Sequence, residues 1–375
     1  MLIKKIKLKD FRNYDELELD FNDNVNLILG QNAQGKTNLL ESIYVTSMGK
    51  SFRTSKDIEM IRFGSEFGKV YVETLKDDFE GSVEIVIDKA SKKFVKVDGV
   101  KIKKTSQLLK NVYIVIFSPE DLKIVKDEPE KRRKFIDREL CQIKPSYYDN
   151  LSNYKKVLLQ RNTYLKENFI DQGILDIWDM QLARFGAAIM HQRKVFTEKI
   201  NKISCGIHSS ITNGNEYLKI IYDPNVEFKE SIREQEEFFY EIIKKSCEND
   251  LRQRTTTKGP HKDDLEFFIN NINVRSFGSQ GQQRTAALSL KLAEISIIEE
   301  ETGEKPVLLL DDVMSELDAA RQEFLIKSLA DIQLFVTTTE IPEKLLAEFP
   351  SGNIYTVTGG SVEKSYYNEK KTKGE

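Results

Sequence analysis

The run Gly30-Gln31-Asn32-Ala33-Gln34-Gly35-Lys36-Thr37 has the spacing G-x-x-x-x-G-K-[ST], the arrangement that cradles a polyphosphate. Glycine at each end lets the backbone turn and approach phosphate oxygens closely, so that successive N–H groups and the start of a following helix face the anion. Lys36 is expected to reach the β- and γ-phosphates, and the Thr37 hydroxyl to hold Mg²⁺. The loop from Gly30 through Asn38 is therefore the expected nucleotide contact. A glycine-rich turn that merely starts a helix is the competing reading.

Two further stretches complete a reaction centre. In "PVLLLDD" an apolar strand ends in Asp311 and Asp312; one carboxylate at that position can hold Mg²⁺ and its neighbour can orient or deprotonate an attacking water. Alone, such a pair more often caps the next helix. In Ser279-Gln280-Gly281-Gln282 a hydroxyl, a glycine N–H and a helix start all point toward an anion. A plain N-cap by Ser279 is the alternative. A core that already owns a phosphate loop needs no second one unless it serves a partner subunit's nucleotide.

The elements that must position these residues can be read from periodicity. "LIKKIKLKDF", "ELELDF" and "NVNLIL" alternate as strands leading into the loop, and a helix follows it. Further strand-like runs occupy Val70 to Val100, with a hairpin signal at Asp98-Gly99, and "NVYIVIF" reads as a buried strand. Near Asp127 the pattern turns helical, with Pro129 suited to a first turn. Leu151, Tyr154, Leu158 and Leu165 share one helical face, and Ile174, Trp178, Leu182, Phe185 and Ile189 the next, which predicts a short helical arm. Another helix is expected from about Glu230 to Arg254, strands at "DLEFFI" and "NVRSF", and then an α/β alternation ending in a strand pair. The polar tail from Asn368 is expected to be disordered.

Composition bounds the rest. The 375 residues are 39% hydrophobic and 31% charged with net charge -3, and no apolar run approaches the roughly 20 residues needed to span a bilayer. The N-terminal segment reads as a strand and not a signal peptide, so the expected compartment is the cytoplasm. Cys141, Cys205 and Cys247 lack paired spacing, as do the three histidines, which argues against disulfides and a transition-metal site.

In their order, "GQNAQGKT", "GSQGQ" and "LLLDDVMSELD" resemble the Walker A, signature, and Walker B plus D-loop motifs of ABC-type ATPases. With "FRNY", "SPEDL", "EKRRKFID" and "GPHKDDL", they are similar to the RecF family of bacterial DNA-repair proteins from near residue 1 to about 345. The resemblance implies an α/β ABC-type ATPase head, with a P-loop core sheet and an antiparallel β subdomain, interrupted by an inserted helical arm. The expected divisions are 1–125 and 251–367 for the head, 126–250 for the arm and 368–375 for the tail. It further implies ATP and Mg²⁺ as ligands, an ATP-dependent homodimer, binding to double-stranded, gapped and single-stranded DNA, and cooperation with RecO and RecR in loading RecA.

Carried over residue by residue, Lys36 and Thr37 take Walker A roles, Asp311 holds Mg²⁺ and Asp312 is the catalytic carboxylate. Ser279 and Gly281 match the signature, flanked by Gln280 and Gln282, and Ser315 to Asp318 the D-loop. Gln280 replaces a usual glycine and Thr338 a switch histidine, which predicts slow hydrolysis. Arg53 resembles an arginine near the nucleotide in related heads.

For DNA, residues 126–202 hold 16 Lys and Arg against 11 Asp and Glu, an excess of 5 that leaves -8 elsewhere. Such segregation suits sequence-independent phosphate contacts. Lys131, Arg132, Arg133 and Lys134 form the densest cluster, with Lys155, Lys156, Arg193 and Lys194 as further candidates. Competing readings are a transporter ATPase subunit, disfavoured by the 275 positions between Lys36 and Asp311, the head of a long-armed SMC or Rad50-like tether, disfavoured by the short arm, and a nuclease, which would need an added carboxylate-rich domain.

Overall fold

The computed structural model describes residues 1–91, 93–329, 331–341, 346 and 349–367; the expected disordered tail lies outside them. Contacts divide the chain into two compact units, Met1–Leu122 with Glu294–Glu375, and Lys123–Ala293. Among the described residues no helix is long and apolar enough to cross a membrane.

Among its described residues the first unit contains two six-stranded sheets. One runs in the order β2 (Tyr14–Asp20), β1 (Leu2–Phe11), β4 (Phe67–Lys76), β5 (Phe79–Asp88), β6 (Phe94–Val97), β7 (Val100–Lys101), and every pairing in it is antiparallel. Its strands alternate because one face is packed and the other wet. On β1, Ile3, Ile6 and Leu8 are buried, while Lys5, Lys7 and Lys9 pair with acids of β2. The β6–β7 hairpin turns at Asp98 and Gly99, both with positive φ (50° and 76°), as the sequence predicts.

The other sheet runs β15 (Ser361–Tyr367), β14 (Gly352–Thr358), β3 (Val25–Leu29), β13 (Leu334–Thr338), β12 (Val307–Asp311), β8 (Ile114–Phe117). All its pairings are parallel except that of β15. Parallel strands are covered on both faces, so β8 and β12 are continuous apolar runs. Helix α1 (Lys36–Met48) leaves the carboxyl end of β3, and α8 (Ala319–Lys327) follows β12. Because β3, β13 and β12 are parallel neighbours, the carboxyl ends of β3 and β12 lie along the same edge of the sheet, the edge at which ligands of open α/β sheets bind.

The second unit contains α2 (Pro129–Ile143), α3 (Pro145–Tyr164), α4 (Gln172–Ile211) and α5 (Ile232–Gln253). It adds the antiparallel sheet β11 (Ile272–Asn273), β10 (Asp264–Ile269), β9 (Leu218–Asp223), the short α6 (Val274–Phe277) and the start of α7 (Gln280–Thr302). Residues 251–293, expected with the head, group here because β10 pairs along its length with β9. The expected strand "NVRSF" is mostly α6, because the Asn273 side chain accepts a bond from Ser276 N and caps a helical turn.

The buried face of α4 also differs from the predicted one. Leu182 and Ile189 are buried, but Ile174 is 43% exposed, and Leu175, Ala183, Gly186 and Ala187 complete the inward stripe. Gly186 explains the rotation: a Cβ there would lie 2.5 Å from the Phe239 ring of α5. The helices meet where a side chain is missing.

Arginines buried among carboxylates tie this unit together. Arg193 donates to Asp137 and Asp263, both at 2.9 Å, and to the Pro260 carbonyl at 2.6 Å. Arg161 spans Asp179 and Asp250 at 2.6 and 2.7 Å. Arg132 forks onto Asp264.

Candidate nucleotide site

The loop between β3 and α1 is held open by its backbone. Gly30, Ala33 and Gly35 all have positive φ, at 155°, 64° and 124°. Side chains at the two glycines are also excluded by space, since a Cβ on Gly30 would sit 2.5 Å from the Val357 carbonyl oxygen and one on Gly35 would sit 2.6 Å from Asn13 Nδ2. Gln31, Asn32 and Ala33 are exposed at the loop tip. No side chain caps α1 and no acidic residue occupies its first turn. Its N-terminal N–H groups and positive dipole end are thus left for an anion.

Lys36 is 4% exposed, yet its ammonium donates only to the carbonyls of Gly30 and Gln31, at 2.7 and 3.3 Å. Among the described residues no carboxylate pairs with it. A buried cation held by neutral carbonyls can transfer its donors to an incoming phosphate.

Thr37 and Asp311, 274 positions apart, meet at 2.9 Å, the hydroxyl donating to Asp311 Oδ1. Thr337 on β13 donates to the same oxygen at 2.9 Å. Burial pushes the Asp311 carboxyl above the usual carboxylate range, and neighbouring Asp312 adds to this, while the two hydroxyls and the charge of Arg53 oppose it. A buried carboxylate that, among the described residues, is partnered by hydroxyls and by no ion-paired cation is a fitting donor for a hard divalent ion. Asp312 stands in the left-handed region (φ 51°), half-buried, and among the described residues its carboxylate accepts no bond. It is free to hold a water.

Three residues of "FRNY", given no role from the sequence, brace this loop. Arg12 forks onto the buried Glu41 of α1 at 2.8 and 2.6 Å. Asn13 donates to the Gln34 carbonyl and accepts from Asn38, both at 2.8 Å, and Tyr14 donates to the Gly35 carbonyl at 3.0 Å. Arg53 reaches Asn38 at 2.6 Å and Glu41 at 3.3 Å, so it belongs to the same brace. From the other side, Gly359 N donates to Gln34 Oε1 at 2.7 Å. No local sequence signal marks this brace: Arg12 stands in the left-handed region (φ 55°), and the turn that places it against α1 exists only in the folded chain.

The signature residues lie in the second unit. Ser279 and Gln282 cap α7 reciprocally: Gln282 N donates to Ser279 Oγ at 3.2 Å and Ser279 N to Gln282 Oε1 at 3.0 Å. Gln282 also donates to Glu216 at 2.9 Å. Ser279 and Gln280 are exposed, and Gly281 half-buried. In the first unit, Asp318 caps α8 by accepting from Arg321 N at 3.0 Å, and Thr338 donates to the Glu340 carbonyl at 2.7 Å.

A family model described as the RecF/RecN/SMC N terminal domain matches residues 2–348. The DNA replication and repair protein RecF of Lachnospira eligens is 47% identical over 367 residues, which are 96% of this chain and 99% of that one. The chain belongs to the RecF family. A solved structure of the recombination mediator protein RecF-ATPrS in the RecFOR pathway superimposes with a TM-score of 0.90 at 40% identity, covering 96% of this chain and 97% of that one. The Smc head domain of Pyrococcus furiosus, 16% identical and covering 99% and 97% of the two chains, gives 0.56 and shares the fold. The fold is the ABC-type ATPase head expected from the motifs.

Within this RecF-family chain the basic candidates for DNA divide sharply. Arg132 and Arg193 are 1% and 2% exposed and bound to carboxylates, which corrects their assignment to a DNA surface: the partners that make their burial tolerable also occupy their donors. Lys131, Lys134, Lys155 and Lys156 are exposed, Arg133 and Lys194 half-buried. Among the exposed set, Lys134 pairs with Glu130 at 2.6 Å, and Lys131 with Asp127 at 3.6 Å.

Proposed function

We propose that this chain binds ATP with Mg²⁺ at residues 30–38 and closes into a homodimer when ATP is bound. In that state it holds double-stranded, gapped or single-stranded DNA during recombinational repair and replication restart. The observation that carries the reading is the Lys36, Thr37 and Asp311 constellation beside an uncapped helix start, in a chain akin to a RecF solved with an ATP analogue. Lys36 binds the β- and γ-phosphates, with the Gly30 to Asn38 backbone around them and Arg53 beside Asn38. Thr37 and Asp311 hold Mg²⁺, which neutralises charge on the phosphate oxygens. Asp312 orients the attacking water and takes its proton.

Ser279 and Gly281, flanked by Gln280 and Gln282, face the nucleotide of the other copy, and Asp318 belongs to the same seam. Without a switch histidine at Thr338 turnover is slow, is stimulated by DNA, and serves release. Lys131, Arg133, Lys134, Lys155, Lys156 and Lys194 remain the DNA candidates. RecO and RecR are the expected partners in loading RecA. The ion-paired second unit makes the arm a compact body and not a tether.

Sedimentation with a non-hydrolysable ATP analogue tests this reading. Wild type should become dimeric, and Ser279→Arg should stay monomeric while retaining nucleotide. A wild type that remains monomeric at saturation refutes the shared site. Fluorescence anisotropy on labelled duplex should show tighter, salt-sensitive binding with ATP; equal affinity with and without nucleotide refutes the coupling.

A further inference from the structure

A cavity of about 210 Å³ opens within the second unit. Four cations line it, Arg133, Lys134, Lys155 and Arg193, against two carboxylates, Glu130 and Asp137. Both carboxylates are already engaged. Glu130 holds Lys134 at 2.6 Å, and Asp137 accepts from Tyr147 and from Arg193, with Lys155 at 3.6 Å. The Arg193 charge is shared with Asp263 behind the wall.

Arg133 is the unbalanced member. It donates to the Asp263 carbonyl at 2.6 Å, and among the described residues no carboxylate lies within ion-pair distance of it. Burial, and then the like charge of Arg193, hold its guanidinium below the usual arginine range. The remaining wall adds no compensating acid. His261 Nε2 lies 3.0 Å from the Thr256 carbonyl, which can only accept, so Nε2 carries the proton and Nδ1 accepts from the Tyr154 hydroxyl at 2.7 Å. Burial lowers this imidazole to about 4, so it is neutral at pH 7.

With four cations against two carboxylates in the wall, and the Arg133 guanidinium beside the concavity with no carboxylate among the described residues to neutralise it, an anion is favoured over a cation or an apolar ligand. The volume exceeds one water's share of about 30 Å³ several-fold. The geometry points to a phosphate-binding pocket in which Arg133 and Lys155 hold a tetrahedral oxyanion. It shares no residue with the nucleotide loop. The oxyanion could be a free phosphate or a phosphate of DNA; the DNA source rests on the DNA-binding reading above.

Crystals of the full chain soaked in tungstate, a heavy phosphate analogue, locate the anion directly. The expected result is an anomalous peak within hydrogen-bond reach of Arg133 and Lys155; a peak at the nucleotide loop alone overturns the proposal. In solution, calorimetry with inorganic phosphate is done on protein saturated with ADP, so that the loop is filled. Binding should weaken about tenfold or more in Lys155→Met, whose exposed side chain makes misfolding no explanation, and be lost in Arg133→Met. Unchanged isotherms in both variants overturn it. Duplex DNA that displaces phosphate, with a salt slope reduced by about one in Lys155→Met, identifies a backbone phosphate; phosphate binding indifferent to DNA identifies a free one. Loss of all DNA binding with phosphate binding intact would remove the DNA reading and leave the pocket.

Discussion

Lys36 and Arg193 are both nearly inaccessible cations, and their surroundings are opposite. Lys36 is held by two carbonyls in the first unit, whereas Arg193 in the second is closed by two carboxylates, a carbonyl and the Tyr147 hydroxyl. A cation whose partners are neutral and few keeps its affinity for an incoming anion. One whose partners are carboxylates has spent that affinity on the fold. The same contrast separates Asp311, raised by burial and without an ion-pair partner among the described residues, from Asp137, which Arg193 and Lys155 hold below the usual range against burial. Charge in a buried place marks function where it is unbalanced and architecture where it is closed.

The largest effect should come from Arg193→Met, which leaves Asp137 and Asp263 buried without their cation. Urea unfolding should show a loss of about 3–5 kcal/mol, with nucleotide affinity of the folded fraction unaltered. Lys36→Ala should do the reverse, weakening ATP by about tenfold to a hundredfold in equilibrium dialysis while the unfolding midpoint of the free protein moves little. If Lys36→Ala lost stability on the scale of Arg193→Met, the contrast would break.

A subtler test is Asp311→Asn. The folded-state pKa of Asp311 lies above its unfolded value, so its favourable contribution is present below the unfolded pKa and is lost as pH rises through the folded one. The asparagine variant mimics the protonated form and should be the more stable protein at pH 7, the gap closing as pH falls toward the ordinary carboxylate range, and Mg²⁺-dependent ATP binding should fall. The smallest effect is expected for Lys134→Ala: its pair with Glu130 is exposed on both sides, at 71% and 67%, so stability should change by less than about 0.5 kcal/mol.

The phosphate loop was legible because its determinants are contiguous. Glycines 30 and 35, the lysine and the threonine fix their own backbone and chemistry within eight residues, and a strand and helix flank them wherever the pattern works. The apolar runs of β8 and β12 and the Asp98-Gly99 hairpin are local in the same sense. What only the tertiary structure decided involves partners far along the chain. Arg132 reads as a surface base until Asp264, 132 residues away, is found against it. The inward face of α4 is set by Gly186 meeting Phe239, and the brace of Asn13 on the loop by a turn that brings residue 13 to residues 34 and 38. Sequence fixes which side chains can carry charge and which backbone can bend around phosphate. Whether a given charge is spent on the fold or left for a ligand depends on what long-range packing sets beside it, because burial and pairing are properties of neighbours and not of the residue itself.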